Sequence, residues 1–243
     1  VNPLDSWGRG IHTAGDRTYS YFRKGSGPAV VVIHELPGII PEVVELAEEV
    51  VDRGFTVVLP HLFGQAGRKA TPGYAAATVA TVCVNREFTA FALGRTPPIA
   101  TWLRSLAVEL HEELGGPGVG AVGMCFTGGF ALAMLAGAPV AAPVVAQPST
   151  PFPLGPKRAA DLNLSPADLD SVRDKVVGGC QVLGLRYAGD PAVGQRFDTL
   201  RRELGDNFIA VEFPGRKHST LTLHRQQEGV DRVLDFLTEK LRG

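Results

Sequence analysis

The residues best suited to chemistry lie in Val122-Gly123-Met124-Cys125-Phe126-Thr127-Gly128-Gly129, where small side chains surround one cysteine. An apolar β-branched stretch precedes this run and a helical pattern follows. The spacing therefore predicts a sharp strand-to-helix turn with Cys125 at its tip. Small neighbours let the backbone fold that tightly. A thiol so placed lies beside a helix N-terminus, whose partial positive charge favours the thiolate, and free amides there can hold an oxyanion. The chemistry suggested is nucleophilic attack on a carbonyl. The competing reading is a cysteine packed in a strand-helix junction, because free Cys is among the most buried residue types.

A thiol with an ordinary pKa of about 8.5 is mostly protonated at neutral pH and needs a base. Two later segments offer one. Gly189-Asp190-Pro191 follows a run ending near Tyr187, and Gly215-Arg216-Lys217-His218-Ser219 follows another ending near Phe213. Acid then histidine, each beyond the carboxyl end of a strand, is the order expected after a nucleophile on such a turn. Singly, Asp190 reads as a turn or N-cap residue and His218 as an exposed loop histidine. Their order and placement together favour the chemical reading.

A fourth feature is Val32-Ile33-His34-Glu35-Leu36-Pro37-Gly38. Glu35 at the end of a buried strand packs poorly unless paired, and it lies at the same edge as the other three. Leu36 offers a second amide toward an oxyanion. The alternative for Glu35 is a hydrogen-bonded role in a structural turn, and His34 reads as a hydrogen-bonded structural residue facing the other way. Weaker candidates for substrate contact are Arg86, Gln147 and Ser219. For Arg86 and Glu87 a surface salt bridge is the competing role.

The elements that must position these residues alternate short β-branched runs with helical patterns, the signature of a mainly parallel sheet with helices on both faces. A hairpin is predicted over 10–23 around Gly15-Asp16, then strands over 29–33, 55–59, 119–122, 140–146, 181–187 and 208–213. Helices are predicted over 41–53, 74–91, 98–114, 126–136, 192–204 and 226–241. The segment 147–165 carries Pro148, Pro151, Pro153 and Pro156 and reads as a lid or binding loop. It ends in Ser165-Pro166, an N-cap and first helical residue. Nothing resembles a linker or an internal repeat, so one domain over 1–243 is expected.

Composition excludes other classes. The 243 residues carry 24 basic and 25 acidic side chains, a net charge of −1, which gives no footprint for nucleic acid or for a charged membrane surface. Three cysteines far apart, with no zinc spacing, argue against disulfides and metal, and the N-terminal residues lack the pattern of a secretory signal. A cytoplasmic protein without metal or organic cofactor is expected. The apolar run 130–146 is too short for a span and is broken by Gly137, Pro139 and Pro143.

Glu35-Leu-Pro-Gly-Ile39, the Gly-x-Cys turn, Gly189-Asp-Pro191 and His218-Ser219 together resemble the dienelactone hydrolase family, over nearly the whole chain. The resemblance implies an α/β-hydrolase fold and a carboxylic ester hydrolase, carboxymethylenebutenolidase-like, acting on a small ester or enol lactone. It implies a Cys125–His218–Asp190 triad with an acyl-thioester intermediate. It further implies a resting contact between Glu35 and the thiol, and an oxyanion hole from the Leu36 and Phe126 amides. A monomer or small homo-oligomer would suit. Two positions depart from the pattern. Thr127 stands where the family turn has the first of its glycines, and Thr222 stands where an arginine would meet the Glu and a substrate carboxylate. Alternative readings are a thiol redox or electrophile sensor, and a silent hydrolase scaffold that binds a ligand or partner.

Overall fold

A computed structural model describes residues 2–243. The chain opens with a hairpin, β1 (Gly8–Ala14) and β2 (Arg17–Lys24), joined by the two-residue turn Gly15-Asp16. Gly15 has φ +62°, the left-handed conformation that lets so short a turn follow the strand twist. Next come β3 (Ala29–Ile33), α1 (Pro41–Asp52), β4 (Thr56–Pro60), α2 (Pro72–Val84) and α3 (Ile99–Leu114). The second half contributes β5 (Val119–Met124), α4 (Gly128–Gly137), β6 (Val140–Ala146), α5 (Pro156–Ala160) and α6 (Pro166–Val177). It finishes with β7 (Val182–Tyr187), α7 (Arg196–Leu204), β8 (Phe208–Phe213) and α8 (Gln227–Arg242).

The eight strands form one sheet in the order β1-β2-β4-β3-β5-β6-β7-β8, antiparallel only where β2 meets β1 and β4. Strand alternation divides the core in two. Val31, Ile33, Val58 and Ala121 face α3, α4, α6 and α7, whereas Val30, Val32, Val57 and Val122 face α1 and α8. Both faces are covered, which is why β3 and β5 are apolar throughout. Parallel registers pair Ile33 with Gly123, Met124 with Ala146 and Ala146 with Leu185. The loops after β3, β5, β6, β7 and β8 therefore emerge at one edge, and the candidate site residues stand there.

Most predicted elements are present, with three corrections. The helix expected over 74–91 stops at Val84, because the Asn85 side chain accepts the Glu87 amide at 2.9 Å and closes a turn that competes with the helix. The helix expected from Ala192 starts at Arg196, because Asp190 Oδ1 takes the Ala192 amide at 2.9 Å. The segment 147–165, expected to lack regular structure, contains the short α5 and is anchored from α7. The guanidinium of fully buried Arg196 donates to the carbonyls of Thr150, Pro151, Arg158 and Asp161 in that segment. Among the described residues no helix is long and apolar enough to cross a membrane.

Candidate active site

Cys125 opens a single 3-10 turn between β5 and α4, with φ +53°. A left-handed non-glycine residue is strained by of the order of 1–3 kcal/mol, and the surroundings must hold it. They do so closely. A Cβ on Gly123 would come within 2.5 Å of Thr127 O, and one on Gly128 within 2.6 Å of Pro148 Cα. Thr127 explains its own departure from the expected glycine. Its buried hydroxyl accepts the Met124 amide at 3.2 Å and shares its proton among the carbonyls of Met124 and Ile33 at 3.0 Å and His34 at 3.2 Å. The side chain thus ties the turn to the end of β3.

The sulfur faces His218 and, at 3.6 Å, the hydroxyl of Ser149. On its other side the imidazole places Nδ1 2.5 Å from Oδ2 of Asp190, which is almost fully buried. Burial pulls the His218 pKa down, but the facing sulfur and carboxylate outweigh it and raise the value to about 11. The loops after β5, β7 and β8 thus bring Cys125, Asp190 and His218 together.

Glu35 is fully buried and is engaged elsewhere. Ser219 donates to Oε2 at 2.7 Å and Thr222 donates to Oε1. Burial raises the carboxyl pKa, and the Thr222 and Ser219 hydroxyls, the charge of His218 and the Gln147 amide only partly offset it. Among the described residues no hydrogen bond joins Glu35 to the thiol, where a resting contact was expected; the two hydroxyls hold the carboxylate. Gln147 is buried too. Its Oε1 accepts the amide and hydroxyl of Thr220 at 3.2 and 2.6 Å, and its unpartnered Nε2 is left toward Glu35 without a full hydrogen bond. Gln147 and Ser219, the expected substrate contacts, stand beside Glu35 and support its carboxylate.

Leu36, partly exposed, presents an amide with no hydrogen bond among the described residues. As the second residue of its helical turn, Phe126 has an amide with no carbonyl one turn back. Phe126 packs against Phe63 and Phe152, with ring centroids 5.7 and 6.0 Å away, and these rings wall the region with apolar surface. His34 is structural, as expected. Its Nε2 accepts the Leu62 amide at 3.2 Å, so Nδ1 carries the proton donated to Glu35 O at 3.1 Å. Burial lowers its pKa to about 3.

Arg86, expected as a weak substrate contact, is exposed and lines a depression of about 440 Å³ with Val84, Phe91 and Arg95. Glu87 pairs with Arg17 of β2 rather than with Arg86. Arg225, the nearest arginine after Thr222, is bound to Glu49 at 2.7 Å. Ser149 was missed because a serine among prolines carries no motif, and Arg196 because nothing in its neighbourhood marks it as buried. Among the described residues no cluster of three His, Cys, Asp or Glu side chains could hold a metal ion.

The model of the dienelactone hydrolase family matches residues 17–163. This chain belongs to the dienelactone hydrolase family. The matched stretch carries Glu35 and Cys125, while β7 and β8 bring Asp190 and His218 in from beyond it. Family membership makes the chain a hydrolase of small molecules. Solved structures of similar fold include a dienelactone hydrolase from Anabaena variabilis, 17% identical over 98% of this chain and 99% of that one, with a TM-score of 0.67. A cold-adapted esterase from an Arctic intertidal metagenomic library is 18% identical, covers 96% and 93% of the two chains, and has a TM-score of 0.63. The α/β-hydrolase GrgF from Penicillium is 13% identical over 98% and 99%, with a TM-score of 0.69. These likenesses show the α/β-hydrolase fold. Among curated proteins nothing matches this family member.

Proposed function

We propose that this dienelactone hydrolase family member is a carboxylic ester hydrolase that cleaves a small ester or enol lactone through a Cys125 thioester. The observation that carries the reading is the alignment of Asp190, His218 and Cys125, with Asp190 Oδ2 2.5 Å from His218 Nδ1. His218 takes the thiol proton and Asp190 stabilises the imidazolium. The thiolate attacks the carbonyl carbon, and the Leu36 and Phe126 amides receive the oxyanion. Collapse expels the alkoxide or ring enolate, which takes the proton from His218. Acylation removes the sulfur's charge, so one of the two groups holding the His218 pKa high is lost. Neutral His218 then deprotonates a water, which attacks the thioester and restores the thiol.

The Glu35 arrangement bears on substrate choice. Thr222 presents a hydroxyl rather than a cation there, and Arg225 is paired with Glu49. This favours uncharged esters and lactones over substrates held by a carboxylate. The test is turnover of aryl acetates, simple lactones and dienelactone by wild type and Cys125→Ala. Loss of turnover in the variant supports the reading, and unchanged turnover overturns it.

A further inference from the structure

Ser149 has no counterpart in the mechanism above, yet its hydroxyl lies 3.6 Å from the Cys125 sulfur and both side chains are buried. Among the described residues the hydroxyl has no other hydrogen-bond partner. Its placement is built rather than incidental. The Ser149 amide donates to Cys125 O at 3.0 Å, and the neighbouring Thr150 hydroxyl donates to Phe126 O at 2.7 Å. Arg196 fixes the same segment from α7 through the carbonyls of Thr150 and Pro151.

We propose that Ser149 is a further catalytic residue whose hydroxyl donates to the Cys125 thiolate and holds the nucleophile ready before substrate arrives. The proposal rests on the reading of Cys125 as nucleophile. A thiolate can only accept, and a serine hydroxyl has one proton to give, so the direction of the bond is fixed once the sulfur is deprotonated. The thiol proton passes to His218, and the Ser149 proton stays on Oγ throughout. The hydrogen bond of the sulfur goes to Ser149, while Glu35 receives its hydroxyl donors from Ser219 and Thr222. The ionisable groups around the sulfur are His218, Asp190 behind it, and Glu35 facing His218; His34 lies behind the turn and Arg196 behind the serine. Ser149 does not ionise, so its removal leaves their charges in place. When the sulfur is acylated its charge disappears and the Ser149 bond weakens, so the residue acts on the free enzyme.

The test is the rate of Cys125 alkylation by iodoacetamide between pH 5 and 10, resolved by peptide mass spectrometry from Cys83 and Cys180, in wild type, Ser149→Ala and Ser149→Thr. Loss of a hydrogen bond to a charged group moves the alanine profile to higher pH by about one to two units, with an undiminished plateau. The threonine variant keeps the wild-type midpoint, and kcat/KM for an aryl ester follows the same pattern. An unmoved midpoint in Ser149→Ala, or activity reduced by one factor at every pH, would overturn the proposal. Alkylation needs no turnover, so that result leaves the ester-hydrolase reading standing, which falls only with an active Cys125→Ala.

Discussion

Thr222 donates its hydroxyl to Oε1 of Glu35, so a neutral donor faces a carboxylate that has no solvent exposure. A hydroxyl compensates a buried charge less than a guanidinium would, and burial therefore dominates: the Glu35 pKa lies above its ordinary 4.5. A carboxyl raised in the folded state binds its proton more tightly there than in the unfolded chain. Its contribution to stability is fullest at low pH and declines as pH rises from 4.5 toward the folded value. Glu35→Gln removes that dependence. The variant's melting temperature, relative to wild type, is expected to improve between pH 5 and pH 8 while ester turnover falls. A relative melting temperature independent of pH would refute this account of Glu35.

The His218 linkage has the opposite partner and its own window. The folded imidazolium is favoured up to about 11, so its stabilisation is complete below the ordinary value of 6.5 and is lost as pH rises through about 11. Asp190→Asn removes one of the two anions flanking the ring and offers an amide where Nδ1–H needs an acceptor. The expected result is a fall in kcat of about 10²–10⁴-fold. Urea unfolding is expected to show a larger stability loss at pH 6 than at pH 10. Equal losses at both would mean that Asp190 acts only through its bond to the Ala192 amide.

The sheet, and the edge at which the site stands, were legible because strand runs such as 29–33 and 119–122 are apolar on both faces and because Cys125, Asp190 and His218 each follow a strand-like run. Pairing partners were less so. Whether Glu35 would meet the thiol or two hydroxyls depends on the left-handed turn at Ser219, φ +52°, which no local pattern announces. The anchored state of 147–165 depends on Arg196, one of 24 basic residues and chemically like those that stay exposed. Long-range side-chain-to-carbonyl bonds leave no periodic trace.

Thr127 supplies a test of the turn itself. Thr127→Val keeps the shape but removes the oxygen that accepts the Met124 amide and donates toward Ile33 and Met124 carbonyls. Leaving those buried groups unpaired costs about 1–3 kcal/mol, while Thr127→Ser should retain most of the stability. Urea unfolding of the two variants measures the difference. A Thr127→Val variant more stable than Thr127→Ser would show that the methyl, not the hydroxyl, matters at this position.

Arg196 joins both supports of the nucleophile. Its guanidinium donates to six backbone carbonyls: Thr150, Pro151, Arg158 and Asp161 on one side, Ala192 and Val193 on the other. Five N–H groups serve six acceptors, with Nε shared between Thr150 and Asp161. Desolvation lowers its pKa to about 10, which leaves it charged at neutral pH. The first group of carbonyls fixes the segment carrying Ser149, and the second fixes the turn after Asp190. Arg196→Met leaves several of them buried and unpaired, at a cost of about 3 kcal/mol or more. Arg196→Lys has a single ammonium on a flexible stem and can satisfy only one cluster of carbonyls at a time, so it should fall between wild type and Met. Kinetics measured well below the melting temperature separate position from stability. Loosening Asp190 and Ser149 together should lower kcat with little change in KM, whereas full kcat in folded Arg196→Met would reduce the arginine to a structural staple.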